Sequence, residues 1–162
     1  MPLLLRAIRK SRWNKTTCPW LAKDDIQADL LRDFETKDNT LSVWLIQDDQ
    51  SNLNEVVLAL AINRDTISNF DYTIFDISLL EILSIKLKVN EGNTLYKKAN
   101  CWHRDLVELT INKVVKLAES LLEDAEKVRI SEKKIENLIQ VAVNNNQIDR
   151  EILKPSISKK LH

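Results

Sequence analysis

Apolar positions recur along the 162-residue chain in blocks separated by short polar clusters. Residues 40–47 alternate, with Leu41, Val43 and Leu45 on one face and Trp44 and Ile46 on the other. Both faces are apolar, so this segment predicts a central strand covered on both sides. The polar turn 48–51 ends it, and Asn52 with Glu55 forms a capping pair. Leu53, Val56, Val57, Leu60 and Ala61 then repeat at helical spacing. Residues 84–90 alternate strictly, with Ile85, Leu87 and Val89 inward and Lys86 and Lys88 outward, as in a lysine-guarded edge strand.

Leu95, Ala99, Trp102, Leu106, Leu109, Val114, Leu117, Ala118 and Leu121 keep near-helical spacing and predict one long helix over 94–123. At 1.5 Å per residue it would span roughly 45 Å, more than a compact domain needs, so it kinks or projects into a partner. Ser131 caps a further helix to about residue 143, with Ile135, Leu138, Ile139 and Ala142 inward. The triplet Asn144, Asn145 and Asn146 stops it, since asparagine tolerates left-handed geometry. A short helical turn over 148–153 ends at Pro155, and 156–162 reads as a frayed tail.

The remaining segments are less regular. Residues 1–23 are ambiguous, since Leu3, Leu5 and Ala7 alternate like a strand while Leu4 and Ile8 fit a helix face, and Pro19 breaks whatever precedes it. Asp24 and Gln27 open a helical pattern carrying Ile26, Leu30, Leu31 and Phe34. Residues 36–39 form a turn. Segment 63–76, where Phe70, Tyr72 and Phe75 interleave with acids, reads as a loop anchored by aromatics, leading to a short helix over 77–83. The expected architecture is therefore α+β in a single domain, 1–162. A small sheet of two or three strands packs against helices, and the C-terminal half is helix-rich with one long helix.

Composition narrows the function. One glycine stands where average usage predicts roughly eleven. Gly-rich nucleotide loops and a G-x-S-x-G nucleophile elbow are excluded, because each needs clustered glycines. The single glycine, Gly92, falls in a turn where a positive φ is expected. No segment has the order of a secretory signal, and no apolar run approaches a membrane span, so a cytoplasmic location is expected. The Asn, Ile and Lys content suits an AT-rich bacterial genome. Cys18 and Cys101 read as free thiols, and without a C-x-x-C pair no zinc site is implied.

Twenty-four bases balance twenty-four acids, but unevenly. Residues 1–23 carry six bases and no acid; residues 24–91 carry fourteen acids against five bases. Residues 92–162 carry thirteen bases against ten acids. The basic N-terminal arm holds Arg6, Arg9, Lys10 and Arg12 interleaved with Trp13 and Trp20. Phosphate neutralisation with aromatic stacking is how single-stranded nucleic acid is held. The overall isoelectric point near 6.7 is far below that of strong nucleic-acid binders. The competing expectation is that both tryptophans pack on the core and the bases pair with the acidic middle.

Asp48 and Asp49 close the central strand, where carboxylates often bind metal and where Asp71 and Asp76, or Asp24 and Asp25, would complete a divalent-ion site, although adjacent residues point to opposite sides of an extended chain. His103-Arg104-Asp105 lacks every companion of the kinase tripeptide. His103 and Cys101 are two apart on the expected helix and do not face each other, and a Cys18–His103 pair would depend on the fold. Trp102 is placed in the core and His103 at the helix surface. No catalytic residue and no cofactor is assigned. The leading expectation is a non-catalytic interaction or regulatory protein with a protein partner or self-association, the simplest version being a homodimer through the long helix. The alternatives are an accessory nucleic-acid binder using the arm, and a metal-dependent enzyme with Asp48 and Asp49 as ligands.

Overall fold

The computed structural model describes residues 1–13, 20–22, 25 and 27–161. Among these described residues six strands form one antiparallel sheet: β1 (Leu3–Ile8), β2 (Leu41–Ile46), β3 (Phe70–Asp76), β4 (Lys86–Val89), β5 (His103–Val107) and β6 (Glu126–Ile130). Their spatial order is β4-β5-β2-β1-β3-β6. The helices are α1 (Leu53–Ile62), α2 (Ser78–Ile82), α3 (Ile111–Asp124), α4 (Glu132–Asn144) and α5 (Pro155–Ser158). A 3-10 helix spans Ala28–Phe34.

The α+β class is right, but the expected sheet of two or three strands is corrected to six. Three of the missed strands have separate causes. β1 lies inside the ambiguous basic arm. It is a central strand, with Leu4 and Ile8 facing one core and Leu3 and Leu5 the other. Two-sided burial hides the period of so short a run. β3 occupies the segment read as an aromatic loop. Phe70, Tyr72 and Ile74 pack on one face, while Asp71 and Thr73 are buried polar groups on the other. Asp71 is tied to Arg129, and the Thr73 hydroxyl donates to the Glu126 carbonyl (2.9 Å), so the polar positions mark satisfied sites inside a strand.

The expected helix over 94–123 does not exist. A 3-10 helix (Lys97–Trp102) leads directly into β5, and α3 begins only at Ile111. Two local devices break the pattern. Asn100 accepts from both the N–H (3.0 Å) and the hydroxyl (2.7 Å) of Thr94, closing a tight loop. Glu108 takes a left-handed φ of 56°, and Thr110 then caps α3 by accepting from the Lys113 N–H. Leu106 keeps its helical spacing by coincidence; it sits in a strand between β2 and β4. With the long helix goes the element expected to carry a homodimer.

The sheet has helices on both faces. α1 and α4 cover Leu5, Trp44, Ile46, Phe70, Tyr72 and Ile74. α3, the 28–34 turn and Trp13 cover Leu4, Leu41, Val43, Phe75 and Leu106. β2 is covered on both faces as its pattern predicts. The region 156–162, expected to fray, docks instead: Ile157 and Leu161 are buried in the first core, and Pro155 starts α5 at its first turn rather than ending a helix.

Gly92 does not take a positive φ. A Cβ there would lie 3.0 Å from His103 Cβ and 3.1 Å from both Asn100 Oδ1 and Trp44 Cη2. Close approach, not backbone conformation, requires this glycine. Positive φ falls instead on residues such as Asp38, Asn39 and Asn146, the last ending α4 as its sequence predicts.

Candidate functional site

Among the described residues of the basic arm, the side chains of Arg6, Arg12 and Trp13 are engaged inside the molecule, while Arg9 and Lys10 contribute only main-chain N–H groups. Arg6 leaves β1 on the α3 side, where its Nε and Nη2 donate to the Asp33 carbonyl (3.0 and 2.8 Å) and its Nη1 to the Ser42 carbonyl (2.7 Å). Burial holds its pKa below the usual arginine value, partly offset by the Asp33 charge. The Asp33 carboxylate accepts from Arg12 Nη1 (2.6 Å), Trp13 Nε1 (2.8 Å) and the Arg9 N–H (2.9 Å). Asp71 accepts the Lys10 N–H (2.8 Å) and a two-pronged Arg129 guanidinium (2.7 and 2.9 Å). Trp13 is buried against Phe34, with the Lys127 ammonium 5.8 Å from its ring centre. Trp20, expected to pack on the core, is exposed. Among the described residues of the arm, Arg9, Lys10 and Trp20 are left open to an external ligand.

The two carboxylates expected at the end of β2 lie in a turn and do not converge. Asp48 faces the Met1 ammonium (2.8 Å), and Asp49 accepts from the Ser51 N–H (3.0 Å), which holds its carboxyl below the ordinary pKa. Among the described residues, no three His, Cys, Asp or Glu side chains are grouped for a metal ion. Asn52 does not cap α1; its Oδ1 accepts from the Gln47 N–H (2.9 Å) and its Nδ2 donates to the Leu45 carbonyl (3.0 Å). His103 belongs to β5 and is buried, not at a helix surface. Its Nδ1 lies 2.9 Å from the Asn90 carbonyl, which can only accept, so Nδ1 carries the proton. Its Nε2 is 3.7 Å from Asp105. Cys101 is exposed, its thiol donating to the Lys98 carbonyl (3.3 Å), while Cys18 lies outside the described residues.

A different place has the form of a binding site. At the end of the sheet where β1 begins and β3 finishes, a groove of about 440 Å³ opens between α2 and the C-terminal turn of α3. That volume lies within the range of small-ligand clefts. Its apolar wall comprises Leu3, Ile74, Phe75, Leu79, Ile82 and Leu121. Ile82 is 77% exposed at the rim. Asp76, Asp124 and Glu126 add three carboxylates. Asp76 accepts from the Ser78 N–H (2.7 Å), which keeps its carboxyl below the usual pKa. Asp124 and Glu126 make no ion pair with any described residue, though Asp124 contributes to the field at Lys127.

The groove is also where the sheet is incomplete. β6 starts opposite Ile74, so it pairs with β3 only over Phe70–Ile74. Phe75 and Asp76 continue alongside Leu4 and Leu3 of β1, with no strand of the described residues on their other side. The Ile77 N–H turns toward the Pro2 carbonyl on the β1 side (3.3 Å). Alternation along an antiparallel strand therefore turns the N–H and C=O of Asp76 away from β1, toward the groove.

Of these groove residues the sequence singles out only Asp76, as a companion of Asp48 and Asp49 at a divalent ion and not as part of an apolar groove. Leu79, Ile82 and Leu121 read as ordinary helix positions, and Asp76 as part of a loop. The one local signal is Asp124-Ala125-Glu126, acids at a helix-to-strand junction, and only packing places it beside Phe75 and Leu79. No helix of the described residues is long and apolar enough to cross a membrane. No protein-family model, curated protein or solved structure matches the chain.

Proposed function

We propose that this α+β chain is a non-catalytic interaction or regulatory protein, and that the groove between α2 and α3 is its working surface. The observation that carries this reading is the contrast in how charge is used. Asp33 and Asp71 are saturated by internal donors. Asp124 and Glu126 instead flank an open apolar wall without an ion-pair partner among the described residues. An apolar surface rimmed by like charge favours a protein segment that brings apolar side chains together with lysine or arginine.

The test is selection of a random-peptide phage library on the immobilised full chain. Enriched sequences should combine cationic and large apolar residues, and their binding should fall at least several-fold in an Asp124→Lys, Glu126→Lys double variant. Both substitutions are at the surface, so circular dichroism should show an unchanged fold. Enrichment of sequences lacking cations, or of peptides indifferent to the double variant, would overturn the reading.

A further inference from the structure

We infer that the occupant of the groove binds as an extended strand, adding its main chain to the bare edge of β3 at Asp76 in line with β6. This deepens the proposed function and rests on it. The apolar wall and the carboxylates alone would accept any amphipathic cation, including a small amine. The sheet geometry is more selective. Asp76 presents a main-chain donor and acceptor into a groove whose floor is the edge of a sheet, and every other residue of β3 has a strand on the β6 side, Phe75 excepted. That is the requirement for strand addition, in which main-chain bonds give affinity and side-chain pockets give selectivity.

The occupant's side chains would alternate between two environments, because successive residues of a strand point to opposite faces. Phe75 packs in the α3-side core with Leu80 and Leu121, so that side of the slot is apolar under α2 and α3. Glu126, the first residue of β6, lies on the face opposite to Lys127 and Arg129. A peptide strand continuing β6 therefore meets carboxylate at its junction with that strand. A large apolar side chain toward Leu79 and Leu121, with a neighbouring lysine or arginine toward Glu126 or Asp124, satisfies both. Ala125, extended where it enters β6, falls by register beside Phe75, so the free edge is centred on Asp76, the paired segment is short and the affinity modest.

The experiment uses the full chain and the peptides from the phage selection. Each peptide is resynthesised with single backbone N-methyl groups, which delete one N–H donor while keeping every side chain. Methylation should follow an alternating pattern, weakening binding roughly five- to tenfold at one position and little at its neighbours, the effect expected for one lost main-chain hydrogen bond. Amide exchange followed by NMR should show the Asp76 N–H protected when peptide is bound. If peptides bind and respond to Asp124→Lys with Glu126→Lys, but N-methylation has no positional pattern and the Asp76 amide is unchanged, strand addition is wrong and the groove reading stands. If a simple alkylamine binds with equal affinity, the occupant is a small cation and strand addition is overturned. If no peptide binds, both fall.

Discussion

The indole N–H of Trp13 donates to the buried carboxylate of Asp33 at 2.8 Å, twenty residues away in sequence. The same carboxylate holds Arg12 and the Arg9 N–H, and the Asp33 main-chain carbonyl holds Arg6. One acid in the acidic middle thus anchors most of the described basic arm. Replacing Asp33 with Ala strands a buried indole N–H and frees a partly buried guanidinium. The expected loss is about 2–4 kcal/mol of unfolding free energy, measured by urea titration with tryptophan fluorescence. Asp33→Asn, which can still accept from Trp13, should cost less.

Asp71 and Arg129 face each other across β3 and β6. Arg129, with the Lys10 N–H, lowers the Asp71 pKa despite burial. A depressed folded-state pKa adds stability that is present above the unfolded aspartate value near 3.9 and is lost as pH falls through the folded value. Stability should therefore drop more steeply below about pH 4 in the wild type than in Arg129→Met. Parallel acid limbs in chemical denaturation of the two proteins would contradict this.

Gly92→Ala tests the close-approach account of the only glycine. The new Cβ meets Trp44, Asn100 and His103 at 3.0–3.1 Å. Overpacking of this kind should cost about 1–3 kcal/mol. A melting temperature equal to or above that of the wild type would show that Trp44 and Asn100 yield without strain.

Ile157 is fully buried, although it follows the last proline in a segment that reads as a tail. Ile157→Ala should destabilise the whole domain by about 2–4 kcal/mol, like any large-to-small change in a core. Were the segment to melt separately, native-state hydrogen exchange would show 148–161 opening alone while α1 and α4 stay protected.

Substitutions in the groove should behave in the opposite way. Asp124 and Glu126 make no ion pair with a described residue, so Asp124→Asn and Glu126→Gln should leave stability within about 0.5 kcal/mol of the wild type. A loss above that range would mean these carboxylates have a folding role, and would weaken their assignment to partner binding.

Local chemistry written into the chain determined several elements by itself. The two-sided alternation of β2, the lysines guarding β4, the Ser131 cap and the left-handed Asn146 depend on neighbours a few residues away, and the structure has them, but Val89, read as inward, is exposed, and α1 is buried beyond its predicted face, with Leu58, Ala59 and Ile62 in the core. The exclusion of glycine-dependent loops is equally local. Tertiary structure decided the rest, because it turned on groups distant in sequence. β1 is a strand because β2 and β3 bracket it. β3 is a strand because Lys10 and Arg129 satisfy the aspartate that made it look like a loop. Leu106, at helical spacing, is a strand residue because β2 and β4 leave a slot between them. The pairing of the basic arm with Asp33 and Asp71 was written in the charge pattern only as a possibility, and which acids would serve was not. The groove is further still from the sequence. It consists of strand ends and helix termini that meet where β6 starts late, and the register at which one strand begins beside another is a property of packing, not of local residue pattern.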